Sequence, residues 1–337
     1  MDTLSADSAR SNQPLVSVVM SVYNGERFLR ESIDSILAQT HQNLELVLVN
    51  DGSQDRTRVI VASYRDPRIR FIDRTENWGL TRSLNEGLQH ARGEYIARLD
   101  AGDTALPHRV AAQVAFLAQH PEVGILGSGI VLFANQQTLR EYTYTTLHAE
   151  IADLLFRFVN PMPHSTLMFR RAVIEQLGGY CPQFLRSQDY DLLLRATTCT
   201  RLASLPEVLV RWRFDPSSLT YGSATQLTYG IAALVRAQCL RCGRYDVIAD
   251  AHWQSLLQCI RQFVRRHHLD RKMGSAKPRL LAELAYRERR WLSCMVHGLH
   301  LLLRHPGCWW NTRTRVSAFI ADHWDEVTPP MTVCGAR

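Results

Sequence analysis

The stretch Tyr95-Ile96-Ala97-Arg98-Leu99-Asp100-Ala101-Gly102-Asp103 decides the reading of this chain. A short apolar run ends in two acids around a small, turn-forming pair. That is the pattern of a buried strand delivering carboxylates to the edge of a sheet. Packing does not account for clustered acids there, because an unpaired carboxylate is costly to remove from water. A metal ion, a basic side chain or a polar substrate would compensate them. The plainer alternative is a solvated loop with two ordinary acids, and this stretch alone leaves both readings open.

The residues before it strengthen the first reading. Val16-Ser17-Val18-Val19-Met20-Ser21-Val22 is a β-branched apolar run, followed by the loop Tyr23-Asn24-Gly25-Glu26. Phe28, Leu29, Ile33, Ile36 and Leu37 then lie on one helical stripe. A second strand, Leu44 to Val49, is cut off by Asn50-Asp51-Gly52-Ser53, and Asp55 or Ser53 can cap the helix that follows. Ile69 to Ile72 reads as a third strand and Leu80 to Ala91 as a helix; the opening stretch is the fourth strand. Such alternation predicts an α/β fold with a doubly wound, mainly parallel sheet. Ligands of such sheets bind outside the carboxyl ends of the strands. Tyr23-Asn24, Asn50-Asp51 and Asp100 to Asp103 should therefore converge in space.

No G-x-x-x-x-G-K-[ST] occurs, and no G-x-G-x-x-G follows the first strand. Without a glycine-rich anion cradle, a bound diphosphate would need a cation. Clustered carboxylates supply a hard-metal site of the magnesium or manganese type.

Further on, Pro107 opens a helix with Val110, Val114 and Leu117 on one face, and Gly124 to Val131 reads as a strand. Leu167 to Phe169 reads as another strand. Gln188-Asp189-Tyr190-Asp191-Leu192 reads as the first turn of a helix, where the dipole favours the Asp189 carboxylate. Past Tyr221 the alternation stops, and leucine, alanine, arginine and glutamine at helical spacing predict a helical region over 221–337.

Composition sets the class. Over 337 residues the chain is 46% hydrophobic and 21% charged, ordinary for a globular protein. No run is long and apolar enough for a membrane-spanning helix, and residues 1–13 read as a disordered lead-in without the apolar region of a secretory signal. The eight scattered cysteines include one C-x-x-C pair, Cys239 and Cys242, which reads as reduced residues on a helix in a reducing cytoplasm. The net charge of +7 belongs to the C-terminal third: residues 221–337 hold 17 Lys+Arg against 8 Asp+Glu. An anionic partner, an anionic membrane surface or no specific partner at all would be consistent with that charge. Trp291 to Leu303 with Trp309-Trp310 reads as helix-packing core or as an interfacial element.

The ordered set of motifs resembles the family 2 glycosyltransferases, inverting enzymes with a GT-A fold. The matching pieces are Ser17 to Gly25, Leu46 to Thr57, Asn77-Trp78-Gly79-Leu80 through Asn85, Gly93 to Asp103 and Leu106 to Arg109. His164 to Arg170, Gly178-Gly179-Tyr180 and Gln188 to Leu192 complete it, so the likeness spans about residues 15–215. It implies a GT-A domain over 14–220. It also implies that Val22, Tyr23, Asn24, Glu26, Asp51, Arg82, Asp100 and Ala101 line the nucleotide-sugar site. Asp100 would begin the D-x-D motif and hold Mn2+ or Mg2+ on the donor diphosphate, with Asp103 as a second ligand. Asp189 would be the catalytic base, and His164 and Gln188 would stand on the acceptor side. The donor would be a UDP- or dTDP-sugar, and the acceptor a glycan or a lipid-linked hydroxyl in polysaccharide biosynthesis, met in the cytoplasm or at the inner face of the membrane.

Three positions depart from the pattern. Gly102 stands at the second acid of D-x-D, Asn50 replaces an acid found in many members, and Gln188 replaces a glutamate. Gly102 also supports a rival reading, a scaffold of the same fold that holds a sugar nucleotide with little turnover. A second rival, nucleic-acid binding through Arg265-Arg266-His267-His268 and Arg287, Arg289 and Arg290, lacks any recognisable nucleic-acid module.

Overall fold

The computed structural model describes residues 13–134, 137–215, 224–242, 248, 253–267 and 269. The lead-in 1–12, the expected boundary near residue 220, His268, and the arginine and tryptophan stretches from Arg287 to Trp310 lie outside the described residues. The described residues fall into two compact units. The first contains 13–152, 161–185 and 195–214; the second contains 153–160, 186–194 and those from 215 onward. The second unit thus takes in 153–160, 186–194 and Asp215 of the expected 14–220 domain.

The first unit is built on a sheet whose strands are Val16–Val22 (β1), Leu44–Asp51 (β2), Ile69–Arg74 (β3), Tyr95–Arg98 (β4), Thr104–Ala105 (β5), Val123–Ala134 (β6), Gln137–Tyr142 (β7), Met168–Arg170 (β8) and Arg201–Arg213 (β9). Its order is β3-β2-β1-β4-β8-β6-β9-β5, with β7 pairing β6. Strands β3, β2, β1 and β4 are parallel, with Val16 opposite both Leu44 and Tyr95. Every residue of β1, β2 and β4 is buried, as continuous apolar runs in a covered parallel sheet require. The helices Leu29–Leu37 (α1), Thr57–Ala62 (α2) and Leu80–His90 (α3) follow the first three strands. Then come Arg109–Gln119 (α4), His148–Phe156 (α5) and Arg171–Gln176 (α6). The helix expected from Pro107 starts two residues later, at Arg109. Asp55, not Ser53, serves the start of α2: its carboxylate accepts from the Thr57 N–H at 3.0 Å.

Topology positions the site. Strand β8 runs antiparallel to β4, so the residues entering β8 lie where β4 ends. Strand β6 is antiparallel to β8 and parallel to β9, so β9 ends at that same edge. Three segments far apart in sequence, 100–103, 164–166 and 211–213, therefore meet at the carboxyl edge.

The amino end of the sheet is closed by a polar network. Glu45, 3% exposed, accepts from the Ser17 hydroxyl at 2.6 Å and the Arg92 N–H at 2.8 Å, and takes Arg92 Nε and Nη2 at 2.9 and 2.7 Å. Gly93 is required beside it, since a Cβ there would stand 2.5 Å from the Ser17 nitrogen.

The second unit holds most of Gln188–Ala196 (α7), together with Ala224–Arg241 (α8) and Trp253–Arg266 (α9). The described part of 221–337 is thus helical. On α9, Trp253, Leu256, Leu257, Ile260, Phe263 and Val264 are buried while Arg261, Arg265 and Arg266 are exposed.

Candidate functional site

The turn after β4 gathers several buried or half-buried charged groups of the first unit. Arg98 and Asp100 are two residues apart, and that spacing places them on one face of the extended chain. The Arg98 side chain is buried and ion-paired through Nη2 to Asp100 Oδ1, while the Asp100 carboxylate is 41% exposed. Arg98 Nε and Nη1 have no partner among the described residues. Arg109, also buried, donates from Nη2 to the Arg98 carbonyl at 2.7 Å and fixes the strand end.

Ser165 joins the two acids. Its Oγ accepts from the Asp100 N–H at 3.0 Å and lies 3.0 Å from Asp100 Oδ2 and 2.5 Å from Asp103 Oδ2. A hydroxyl has one proton to give, so with both acids ionised one carboxylate would face a lone pair. A proton on Asp103 completes the set, because Asp103 then donates to Ser165 and Ser165 to Asp100. The electrostatics agree. Burial, then the neighbouring Asp100 charge, pushes the Asp103 carboxyl up to about 7. Desolvation opposes ionisation of Asp100 too, but the Arg98 charge and the Ser165 hydroxyl outweigh it and hold that carboxyl below its ordinary range.

Gly102 has φ +112°, a conformation that favours glycine, and a Cβ there would meet no atom within 4 Å. The position is open but conformationally restricted. Its N–H donates to Ser32 Oγ at 2.9 Å, and its carbonyl accepts from Arg213 Nε at 2.9 Å. Arg213 also gives its own N–H to Asp103 Oδ1 at 2.9 Å and pairs with Glu31 at 2.5 Å.

The loops after β1 and β2, expected to meet, are joined by side-chain hydrogen bonds. Asn24 gives its N–H to Ser53 Oγ at 2.9 Å and its side-chain oxygen accepts from the Gln54 N–H at 2.9 Å. Glu26 accepts from the Arg56 N–H at 3.1 Å. Asp51 accepts from the Trp78 and Gly79 N–H groups at 2.8 and 2.9 Å, and so pins the loop that opens α3. Val22 is buried, whereas Tyr23 is 50% exposed and Trp78 49% exposed, with the Arg74 guanidinium 3.6 Å over the Trp78 ring. Arg82 is exposed on α3 and Ala101 half-buried in the turn. His164 faces Tyr180, Nε2 to hydroxyl 2.7 Å, and burial followed by Arg98 pushes its imidazole down to about 3, so it is neutral at physiological pH.

In the second unit Asp189 is half-buried in the first turn of α7, and its Oδ2 accepts from Asn160 Nδ2 at 3.1 Å. Gln188 beside it is 6% exposed.

The site residues with no assigned role in the sequence are Arg98, Ser165, Arg213, Trp78 and Asn160. Only Arg98 carried a local signal: an arginine inside a buried strand requires a nearby countercharge.

Residues 17–178 match the family described as glycosyl transferase family 2. The putative glycosyltransferase EpsE of Bacillus subtilis (strain 168) is 37% identical over 236 residues, covering 68% of this chain and 83% of that protein. A crystal structure of S. aureus TarS 1-349 in complex with UDP superposes with TM-score 0.52 at 19% identity, over 75% of this chain and 71% of that one. The mannosyltransferase PcManGT from Pyrobaculum calidifontis, in complex with GDP-Man and Mn2+, superposes with TM-score 0.54 at 20% identity, over 94% and 89% of the two chains. These two structures share the fold, that of GT-A enzymes. With its parallel half-sheet, its acid-bearing carboxyl edge and its similarity to EpsE, the chain belongs to glycosyl transferase family 2 and is a glycosyltransferase.

Proposed function

We propose that the protein transfers a sugar from a nucleoside diphosphate donor to a hydroxyl of a glycan or lipid-linked acceptor by single displacement, with inversion. One observation carries this reading: the carboxyl edge holds an ionised, partly exposed Asp100 that shares Ser165 with a buried Asp103. Nucleotide-sugar binding follows the ligands of the two solved structures, UDP in one and GDP-Man in the other.

The donor set suits a divalent metal held jointly with donor phosphates. Among the described residues no cluster of three or more acids, histidines or cysteines could hold a metal ion alone. Magnesium-type sites commonly use one or two carboxylates and complete the shell with phosphate oxygens and water. Asp100, with Asp103 behind it, would hold Mn2+ or Mg2+, which supplies charge neutralisation of the departing diphosphate. Tyr23 and Trp78 offer exposed rings to the nucleotide, on loops fixed by Asn24, Glu26 and Asp51. Asp189 takes the proton of the acceptor hydroxyl as it attacks the anomeric carbon. Positioned general-base catalysis is worth roughly 10²–10⁴-fold. A nucleoside diphosphate leaves without a general acid, so one base suffices. Among the described helices none is long and apolar enough to cross a membrane. The exposed arginines of α9 support attraction to anionic lipid at the inner face of the membrane, which salt-sensitive co-sedimentation with anionic vesicles would test.

The test is a screen of UDP-, dTDP- and GDP-sugars with manganese, read by nucleoside diphosphate release. Release from one donor class, stimulated by an acceptor, is expected. Binding of a sugar nucleotide without any release would support the scaffold reading instead.

A further inference from the structure

Helix α7 carries Asp189 beyond the segment that the family matches. Its first turn is held in an unusual way. Ser187, just before it, has φ +56° and gives its hydroxyl to the Gln226 carbonyl of α8 at 3.2 Å. Tyr190 donates its hydroxyl to the Leu155 carbonyl and stands edge-on to Phe158, itself at φ +65°. Gly230 of α8 makes room for that ring: a Cβ there would meet Phe158 Cζ at 3.0 Å. Two polar contacts then fix the carboxylates. Asn160 donates to Asp189 Oδ2 at 3.1 Å, and Arg236 of α8 pairs with Asp191 Oδ1 at 2.7 Å. The Arg236 and Asp191 side chains are 8% and 1% exposed, so this is an ion pair inside the unit.

A left-handed non-glycine residue and a buried ion pair are both unfavourable unless the surrounding structure over-determines them. Here both act on the one turn that presents Asp189. A buried pair adds little net stability against an apolar replacement, and fixing register is its best-attested use. We propose that Arg236 and Asn160 are positioning residues for the catalytic base: Arg236 locks the first turn of α7 through Asp191, and Asn160 fixes the rotamer of the Asp189 carboxylate. This rests on the reading of Asp189 as base. It gives α8 a catalytic purpose, and it predicts that the transferase needs the described part of the region past residue 220.

The experiment uses the full chain with a donor found in the screen, and compares Arg236→Met, Asp189→Asn and Asp189→Asn/Arg236→Met. A misplacement of about 1 Å costs on the order of 10²-fold in rate. Arg236→Met is therefore expected to lower kcat about 10²-fold with donor KM unchanged. Adding it to Asp189→Asn should cost nothing further, because the two act as one unit. A loss of equal size in both backgrounds, or wild-type kcat in a folded Arg236→Met protein, would overturn the proposal. If Arg236→Met does not fold, Asp191→Leu/Arg236→Met, which removes both charges, takes its place with the same expected and contradicting outcomes. Hydrogen exchange at 189–192 provides a readout independent of turnover: faster exchange confined to that turn in the Arg236 variant is expected, and unchanged exchange would overturn the clamp. Full turnover by Asp189→Asn would instead remove the base assignment and leave the exchange result to judge the clamp.

Discussion

Two carboxylates in the first unit, Glu45 at the amino end of the sheet and Asp103 at its carboxyl edge, are equally buried at 3% exposure and behave oppositely. Glu45 meets a two-pronged guanidinium, a hydroxyl and a backbone N–H. Burial raises its carboxyl, but these partners, led by Arg92, bring it below the ordinary value. Asp103 receives one backbone N–H and a hydroxyl it must share with Asp100, and is pushed up to about 7. The amino end is electrostatically complete and serves the fold. At the carboxyl edge Asp103 has no guanidinium contact of its own among the described residues, and Asp100, although paired with Arg98, stays open to an arriving ligand.

The comparison can be broken at either end. Asp100→Asn removes the ionised, exposed acid of the edge. Loss of several kcal/mol of metal-derived charge stabilisation corresponds to roughly 10²–10³-fold in turnover. That loss is expected in the folded protein together with a lowered unfolding midpoint, because the variant also leaves the buried Arg98 without its countercharge; steady-state kinetics beside a urea titration reads the two separately. Glu45→Gln should touch stability alone. Hydrogen bonds to a charged group are worth about 1.5–3 kcal/mol, so stability should fall by roughly that amount while kcat of the folded protein holds.

The pH dependence separates the two acids in one protein. Glu45 has a lowered pKa in the folded state, so the native form binds fewer protons than the unfolded chain. Its contribution is present above the unfolded value near 4.5 and is lost as pH falls through the lower folded value. Asp103 has a raised pKa, so the native form binds more protons between 3.8 and about 7, and stability falls as pH rises through that window. In metal-free protein Asp103→Asn should flatten the upper branch, by on the order of 1–3 kcal/mol, and leave the acid branch intact. The smallest effect is expected from Gly102→Asp. The side chain has room, so only the strain of a positive φ opposes it, on the order of 1 kcal/mol. It restores the second acid of D-x-D and should tighten manganese binding.

Strands β1, β2 and β4 were legible because strands covered on both faces read as unbroken apolar runs. Strand β9 was not: Pro206, Glu207, Arg211 and Arg213 interrupt its apolar pattern, and its burial comes in blocks with neither a continuous run nor an alternation. Strand β7 and helices α5 and α6 were likewise unanticipated. At the site, the place of Asp100 and the meeting of the β1 and β2 loops followed from strand ends alone. The convergence was only partly foreseen, since the 100–103 turn bonds to α1, Ser165 and Arg213, the last two contributed by residues 65 and 110 positions away from their partners. No local pattern announces contacts at such separations. For the same reason the sequence could name Asn24, Glu26 and Asp51 through the resemblance without disclosing that their side chains bind the neighbouring loops.

The central claim is that the carboxyl edge binds a divalent cation together with a nucleoside diphosphate through Asp100. Calorimetric titration of manganese into the protein with UDP, repeated with GDP, tests it most directly, with Asp100→Asn alongside. The account predicts manganese binding that depends on one of the nucleotides and disappears in the variant. Equal binding by the variant, or nucleotide binding indifferent to manganese, would contradict it.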